Sequence, residues 1–240
     1  MIRALAASTV WILSGAAAFA ALWWAFVNTP ESTVFTLALS LLLVLGMYAV
    51  AALTWSGALV GWSRGWSRGA ARGAVAGLPA FLLPVIAAGA AWWAVGAALG
   101  WMERHSGEIS AWFIATLNWS DVTGPMTAVA YLGEWLRRVV APFVALVWFG
   151  HILSRGLWAW CDRTPLARAL SPVRLAAATL VAIVTLWAPL HYGLYWMPPG
   201  LPATWVEPAV ALAKFGLIAL AGAVGLSLIA RLASPGDTGR

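Results

Sequence analysis

The chain has 240 residues, 62% of them hydrophobic and 9% charged, and its 14 basic and 8 acidic side chains leave a net charge of +6. A soluble domain carries about 25% charged residues. No single water-soluble core hides this apolar surplus, so the composition excludes a disordered chain, a disulfide scaffold and an ordinary cytosolic enzyme. A lone cysteine, Cys161, permits no internal disulfide.

A helix that crosses a bilayer takes about 20 mostly apolar residues. Six stretches qualify, near 5–27, 33–55, 76–100, 129–154, 174–196 and 208–230. The expected fold is therefore all-α: a bundle of six transmembrane helices in one domain over 1–233, with a short polar tail at 234–240. The first stretch follows Arg3 and contains Ala18-Phe19-Ala20, a signal-peptide-like cleavage pattern. Its apolar run continues through Trp23 and Trp24 to Val27, longer than the roughly 7–15 residues of a signal core, so it is expected to remain as a helix.

After the second stretch comes Trp62-Ser63-Arg64-Gly65-Trp66-Ser67-Arg68-Gly69-Ala70-Ala71-Arg72-Gly73. Arg64, Arg68 and Arg72 recur every four residues beside tryptophans, the pattern of an interfacial segment touching anionic lipid. The alternative is a docking site for a cytoplasmic partner such as an ATPase. In the third stretch, Gly96 and Gly100 form a GxxxG pattern, and Ala221 with Gly225 gives the sixth a small-residue face. Small residues let membrane helices approach closely. Pro79, Pro84, Pro142 and Pro189 mark expected kinks.

Between the third and fourth stretches, Ile109, Trp112, Phe113, Ala115, Thr116 and Leu117 recur at helical spacing after Ser106-Gly107. The spacing predicts an amphipathic helix along the outer membrane face. Asn118-Trp119-Ser120 matches a glycosylation sequon in a composition that looks bacterial.

Orientation follows from the arginines. With a cytoplasmic N-terminus, the inner segments hold Arg3, Arg64, Arg68, Arg72, Arg155, Arg163, Arg168, Arg174, Arg231 and Arg240. The positive-inside bias then places both termini in the cytoplasm of a bacterial inner-membrane protein. The chain is also rich in tryptophan, with 18 residues. Most of them, Trp92, Trp93 and Trp135 among the outer ones, are expected in belts at the membrane boundaries. A ligand-lining role for the outer set is the alternative.

Charges at membrane depth are functional candidates, because burying them in hydrocarbon is costly. Glu134 precedes Arg137 and Arg138 by three and four residues, so the three share one helix face at the outer end of the fourth stretch. They form either a self-neutralising cluster or a site for an anionic headgroup or substrate. Lys214, six residues past Pro208, either snorkels outward or faces the bundle to bind an anion or pair with Glu207. His191, near the outer end of the fifth stretch, completes the tentative substrate contacts.

The histidines lack metal-site spacing, so no metal is expected. The scattered Trp101, Trp112 and Trp119 do not form the compact Trp-rich motif of heme-handling six-helix proteins, and no cofactor is expected. No catalytic motif is visible, nor is nucleic acid an expected partner. The sequence points to a permease-like transport component handling an anionic or amphiphilic molecule, with membrane lipids and a further membrane subunit or ATPase as partners. An accessory subunit of a larger complex is the alternative, and an intramembrane enzyme acting on a lipid-linked substrate the third.

Overall fold

Every regular element is helical among the residues that the computed structural model describes: 1–30, 32–66, 74–75, 77–117, 122–193, 195 and 206–235, without the side chains of 206 and 207. Six helices are long and apolar enough to cross a membrane. They are α1 (Ile2–Val27), α2 (Val34–Arg64), α3 (Leu78–Arg104), α5 (Thr123–Arg155), α7 (Pro172–Gly193) and α8 (Val206–Ala233), with α4 (Ser106–Leu117) and α6 (Thr164–Ala169) between them. Arg231 reaches Met1, so the start of α1 and the end of α8 lie at one end of the bundle.

The charged helix is the central one. In α5, 44% of the most apolar stretch is buried inside the protein, against 6–11% in the other five spans. Phe143, Leu146, Val147, Phe149, Gly150 and Ile152 supply that buried face. Phe149 meets Phe81 of α3 at 4.9 Å between ring centroids, and Phe81 meets Tyr48 of α2 at 5.9 Å. Lipid tails are as apolar as these side chains, so close packing and internal hydrogen bonds hold the helices together.

Span boundaries differ from the sequence expectation where small residues meet aromatic ones. Helix α2 runs to Arg64 because Trp55–Gly61 carries no proline, and because its glycines fit bulky neighbours. Gly57 lies under the Trp11 indole of α1 and Gly61 under Trp66. Arg64 is exposed at the end of α2, while Arg68 and Arg72 lie outside the described residues. The α4 helix forms directly after His105 and buries none of its residues. The sequon at 118–120 also lies outside the described residues.

The four prolines divide into two kinds. Pro79 sits in the first turn of α3, where a missing N–H is harmless, and Pro84 lies within the continuous α3 helix. Neither interrupts it. Pro142 and Pro189 each follow a π-helical stretch, Leu136–Val140 in α5 and Ile183–Trp187 in α7. A proline removes the hydrogen bond to the carbonyl four residues back and its ring collides with that carbonyl. The carbonyls concerned belong to Arg138 and Thr185, both inside the widened turns.

Of the small-residue patterns, Gly96 of the GxxxG pair faces a side chain and Gly100 meets nothing within 4 Å. The face of α8 does serve close approach, because Gly225 lies directly against Thr185 in the widened turn of α7. Thr185 is held there by a 2.7 Å bond from Oγ1 to the Val181 carbonyl oxygen. Gly225→Val should therefore overpack this contact and destabilise the protein by about 1–3 kcal/mol. A lowered unfolding midpoint in detergent is expected, whereas Gly89→Ala, which meets open space, should leave the midpoint unchanged. Equal midpoints for the two variants would show that α8 does not pack on α7 in this way.

Candidate functional site

Glu134, Arg137 and Arg138 occupy the last turn before the widened part of α5 and the widened part itself. The structure brings all three together. Glu134 Oε1 accepts from Arg137 Nη1 at 3.3 Å, and Glu134 Oε2 lies 2.5 Å from Arg138 Nε. Arg137 also lies flat on Trp92 of α3, with its guanidinium carbon 3.5 Å from the ring centroid. Gly96, one turn further along α3, lies beside that guanidinium: a Cβ there would be 3.6 Å from it, an ordinary contact distance. Gly96 thus faces a side chain of the neighbouring helix α5.

Trp92 lies near the middle of α3, about 18 Å from Arg104 at 1.5 Å per residue. The charged turn is level with it, deeper along the bundle than the helix-end position expected from the sequence. Trp92 and Trp135, expected in the boundary belts, also make contacts inside the protein. Trp92 carries the cation, and the Trp135 indole donates to Thr179 Oγ1 of α7 at 2.9 Å. The Trp135 N–H is thereby satisfied inside the protein, whereas Trp92 offers Arg137 its ring face and stays 48% exposed.

Between α5 and α7, the opposite side of the charged turn opens into a cavity of about 670 Å³. Tyr131, Glu134, Trp135 and Arg138 line one wall and Ala182, Ile183, Leu186, Trp187 and Leu190 the other. The Trp135–Thr179 bond closes α5 onto α7 at one end. The two arginines have different surroundings. Arg137 is held between Glu134 and Trp92 with 21% of its side chain exposed, whereas 71% of the Arg138 side chain is exposed. Two guanidiniums share one carboxylate, so this turn has an excess positive charge, and Arg138, although paired with Glu134, is the more exposed of the two cations.

His191 and Lys214 fall outside the described lining of that cavity. His191 is nevertheless next to it: its ring stacks on Trp187 at 4.8 Å and 8°, and Tyr192 packs edge-on at 5.1 Å. His105 repeats the arrangement with Trp101, also four residues earlier, at 4.7 Å. Lys214 is half-buried on α8, one turn before Ile218, which packs on Gly193. The side chain of Glu207, its expected partner, lies outside the described residues.

A second polar cluster escaped the sequence reading. His151 Nε2 meets Asp162 Oδ2 at 2.9 Å, and Arg155 Nη1 approaches the same oxygen at 3.5 Å. Asp162 Oδ1 accepts from the Thr164 hydroxyl at 2.6 Å and from its backbone N–H at 2.9 Å. An ionised carboxylate only accepts, so His151 Nε2 carries the hydrogen. The Asp162-Arg163-Thr164 spacing, in which an aspartate satisfies a backbone N–H two residues on, was the available signal. This cluster ties the short connection after α5 back to the helix. Among the described residues, no three His, Cys, Asp or Glu side chains gather as metal ligands would.

Compared with protein-family models, curated proteins and solved structures, the chain finds no match in any of the three. Its chemistry has to be read from its own residues.

The Thr164 bonds hold the Asp162 carboxyl down at about 2, below its ordinary 3.8, with His151 adding to the effect. A carboxylate with a lowered native pKa stabilises the fold above its unfolded value and loses that contribution as pH falls towards the native one. The contribution should therefore be complete above about pH 4 and disappear towards pH 2. Thr164→Ala is expected to raise the Asp162 midpoint, measured as the infrared carboxyl band absent from Asp162→Asn. An unmoved midpoint would mean that Thr164 does not set it.

Proposed function

We propose that this integral membrane protein is a permease-like transport component that handles an anionic molecule through the cavity between α5 and α7. The observation that carries this reading is Arg138, an incompletely neutralised cation beside an apolar and aromatic cavity at the depth of the middle of α3. A charge on a membrane helix at that depth is costly unless it has a role or a partner. Glu134 supplies one partner, shared with Arg137, and an anionic ligand would supply the rest. Helix-widening π stretches recur at functional sites, and here two of them, Leu136–Val140 and Ile183–Trp187, contribute residues to the walls of the same cavity.

The arrangement of arginines supports an inner-membrane location with both termini in the cytoplasm. Arg155, Arg163, Arg168 and Arg174 cluster around the connection between α5 and α7, where the positive-inside bias places the cytoplasmic face. The exposed Leu157 and Trp158 beside them suit a headgroup interface. On the opposite face, α4 with its exposed Trp112, Ile114 and Leu117 suits a helix lying on the membrane surface. The end of α2 at Arg64 offers a basic contact for lipid or for a cytoplasmic partner.

The test uses proteoliposomes and three probes: inorganic phosphate, dodecyl phosphate and a fluorescent phosphatidylglycerol. Wild-type protein should accelerate the transfer of at least one of them over protein-free vesicles, and Arg138→Gln should abolish that gain. No acceleration of any probe, or full acceleration by Arg138→Gln, would overturn the transport reading.

A further inference from the structure

The cavity between α5 and α7 does not end in a closed chamber. Its walls include Tyr131, 74% exposed, and Ile183, Trp187 and Leu190, each about half exposed. These residues lie on the flank of two membrane-spanning helices, a position where exposure means contact with acyl chains rather than water. The only charged side chains among the described lining residues are Glu134 and Arg138. A ligand reaching Arg138 by this route has to cross hydrocarbon.

Resting on the proposed anion-handling role of this site, we infer that its ligand is an anionic amphiphile drawn sideways from the bilayer. The phosphate of a phospholipid such as phosphatidylglycerol would sit against Arg138, with its chain along Ile183, Leu186 and Leu190. Three features favour this ligand over a small soluble anion. The lining is largely apolar, which a bare phosphate would not desolvate into without loss. The available charge is a single guanidinium partly engaged with Glu134, too little to hold a multiply charged ion without further donors. The volume, about 670 Å³, also exceeds what a free phosphate fills.

Exposed guanidinium and apolar wall make separate contributions and can be removed separately. Arg138→Gln deletes the charge while keeping a polar side chain. Ala182→Leu fills the cavity beside the wall residues and leaves Arg138 in place. Arg104→Gln removes an exposed charge at the end of α3, away from the cavity, and serves as the control.

The experiment is native mass spectrometry of protein released from nanodiscs of phosphatidylcholine doped with phosphatidylglycerol, with and without inorganic phosphate. Wild-type protein and Arg104→Gln should retain one phosphatidylglycerol in preference to phosphatidylcholine by about fivefold or more, as one basic group near an anionic headgroup gives. Both Arg138→Gln and Ala182→Leu should lose this preference while keeping the wild-type unfolding midpoint. A site that retains inorganic phosphate but no anionic lipid would overturn the inference and leave anion handling standing. Undiminished lipid preference in both variants would place the lipid elsewhere and also overturn it. Selective lipid retention without transfer in vesicles would instead remove the transport reading alone.

Discussion

Hydrocarbon offers a charged side chain no hydrogen-bond partner, and that constraint governs how this bundle is arranged around Arg137. The guanidinium is held by the Glu134 carboxylate and the Trp92 ring, with Gly96 alongside. A cation over an indole in a desolvated setting is worth about 2 kcal/mol or more, and the ion pair adds to it where water is excluded. The consequence reaches the next residue. Because Glu134 divides its charge between two arginines, Arg138 is left with an exposed guanidinium facing the α5–α7 cavity.

The prolines explain why the site can exist on a helix at all. An ideal helix would turn each residue by a fixed angle and keep its neighbours close packed. At Pro142 and Pro189 the hydrogen-bond ladder fails four residues back, and both helices absorb the failure as a widened turn. In α5 that turn carries both arginines. In α7 it carries Ile183, Leu186 and Trp187, which form the opposite wall, and Thr185, which receives Gly225 of α8. Local widening of both helices thus aims side chains at the shared cavity, while tightly packed neighbours brace the turn in α7 from behind.

The number of spans was legible because a 20-residue apolar run admits few readings. The co-facing of Glu134, Arg137 and Arg138 was legible because helical spacing fixes it. Their depth was not: the apolar run before Glu134 is interrupted by glycine, threonine and proline, so the start of α5 at Thr123 was hidden. Periodicity also says nothing about which helix lies opposite. Trp92 reads as a belt tryptophan from the sequence, and only the packing of α3 on α5 shows that it also stacks on Arg137, with Gly96 beside the same side chain. His191 and Lys214 share the polarity expected of site residues, yet they lie on parts of α7 and α8 outside the described cavity lining. The His151–Asp162 pair joins residues eleven apart across a helix end, a contact that only the turn through Gly156 brings about.

Site-directed spin labelling tests most directly whether the charged turn sits at hydrocarbon depth and opens to lipid. A nitroxide attached at Ile183→Cys in a Cys161→Ser background, with the protein in a bilayer, reports collisions with dissolved oxygen and with a water-soluble nickel chelate. A cavity open to lipid at this depth gives strong oxygen collisions and weak nickel collisions, a ratio typical of labels well inside the bilayer. Strong nickel collisions would mean that water fills the cavity and would contradict an opening to lipid.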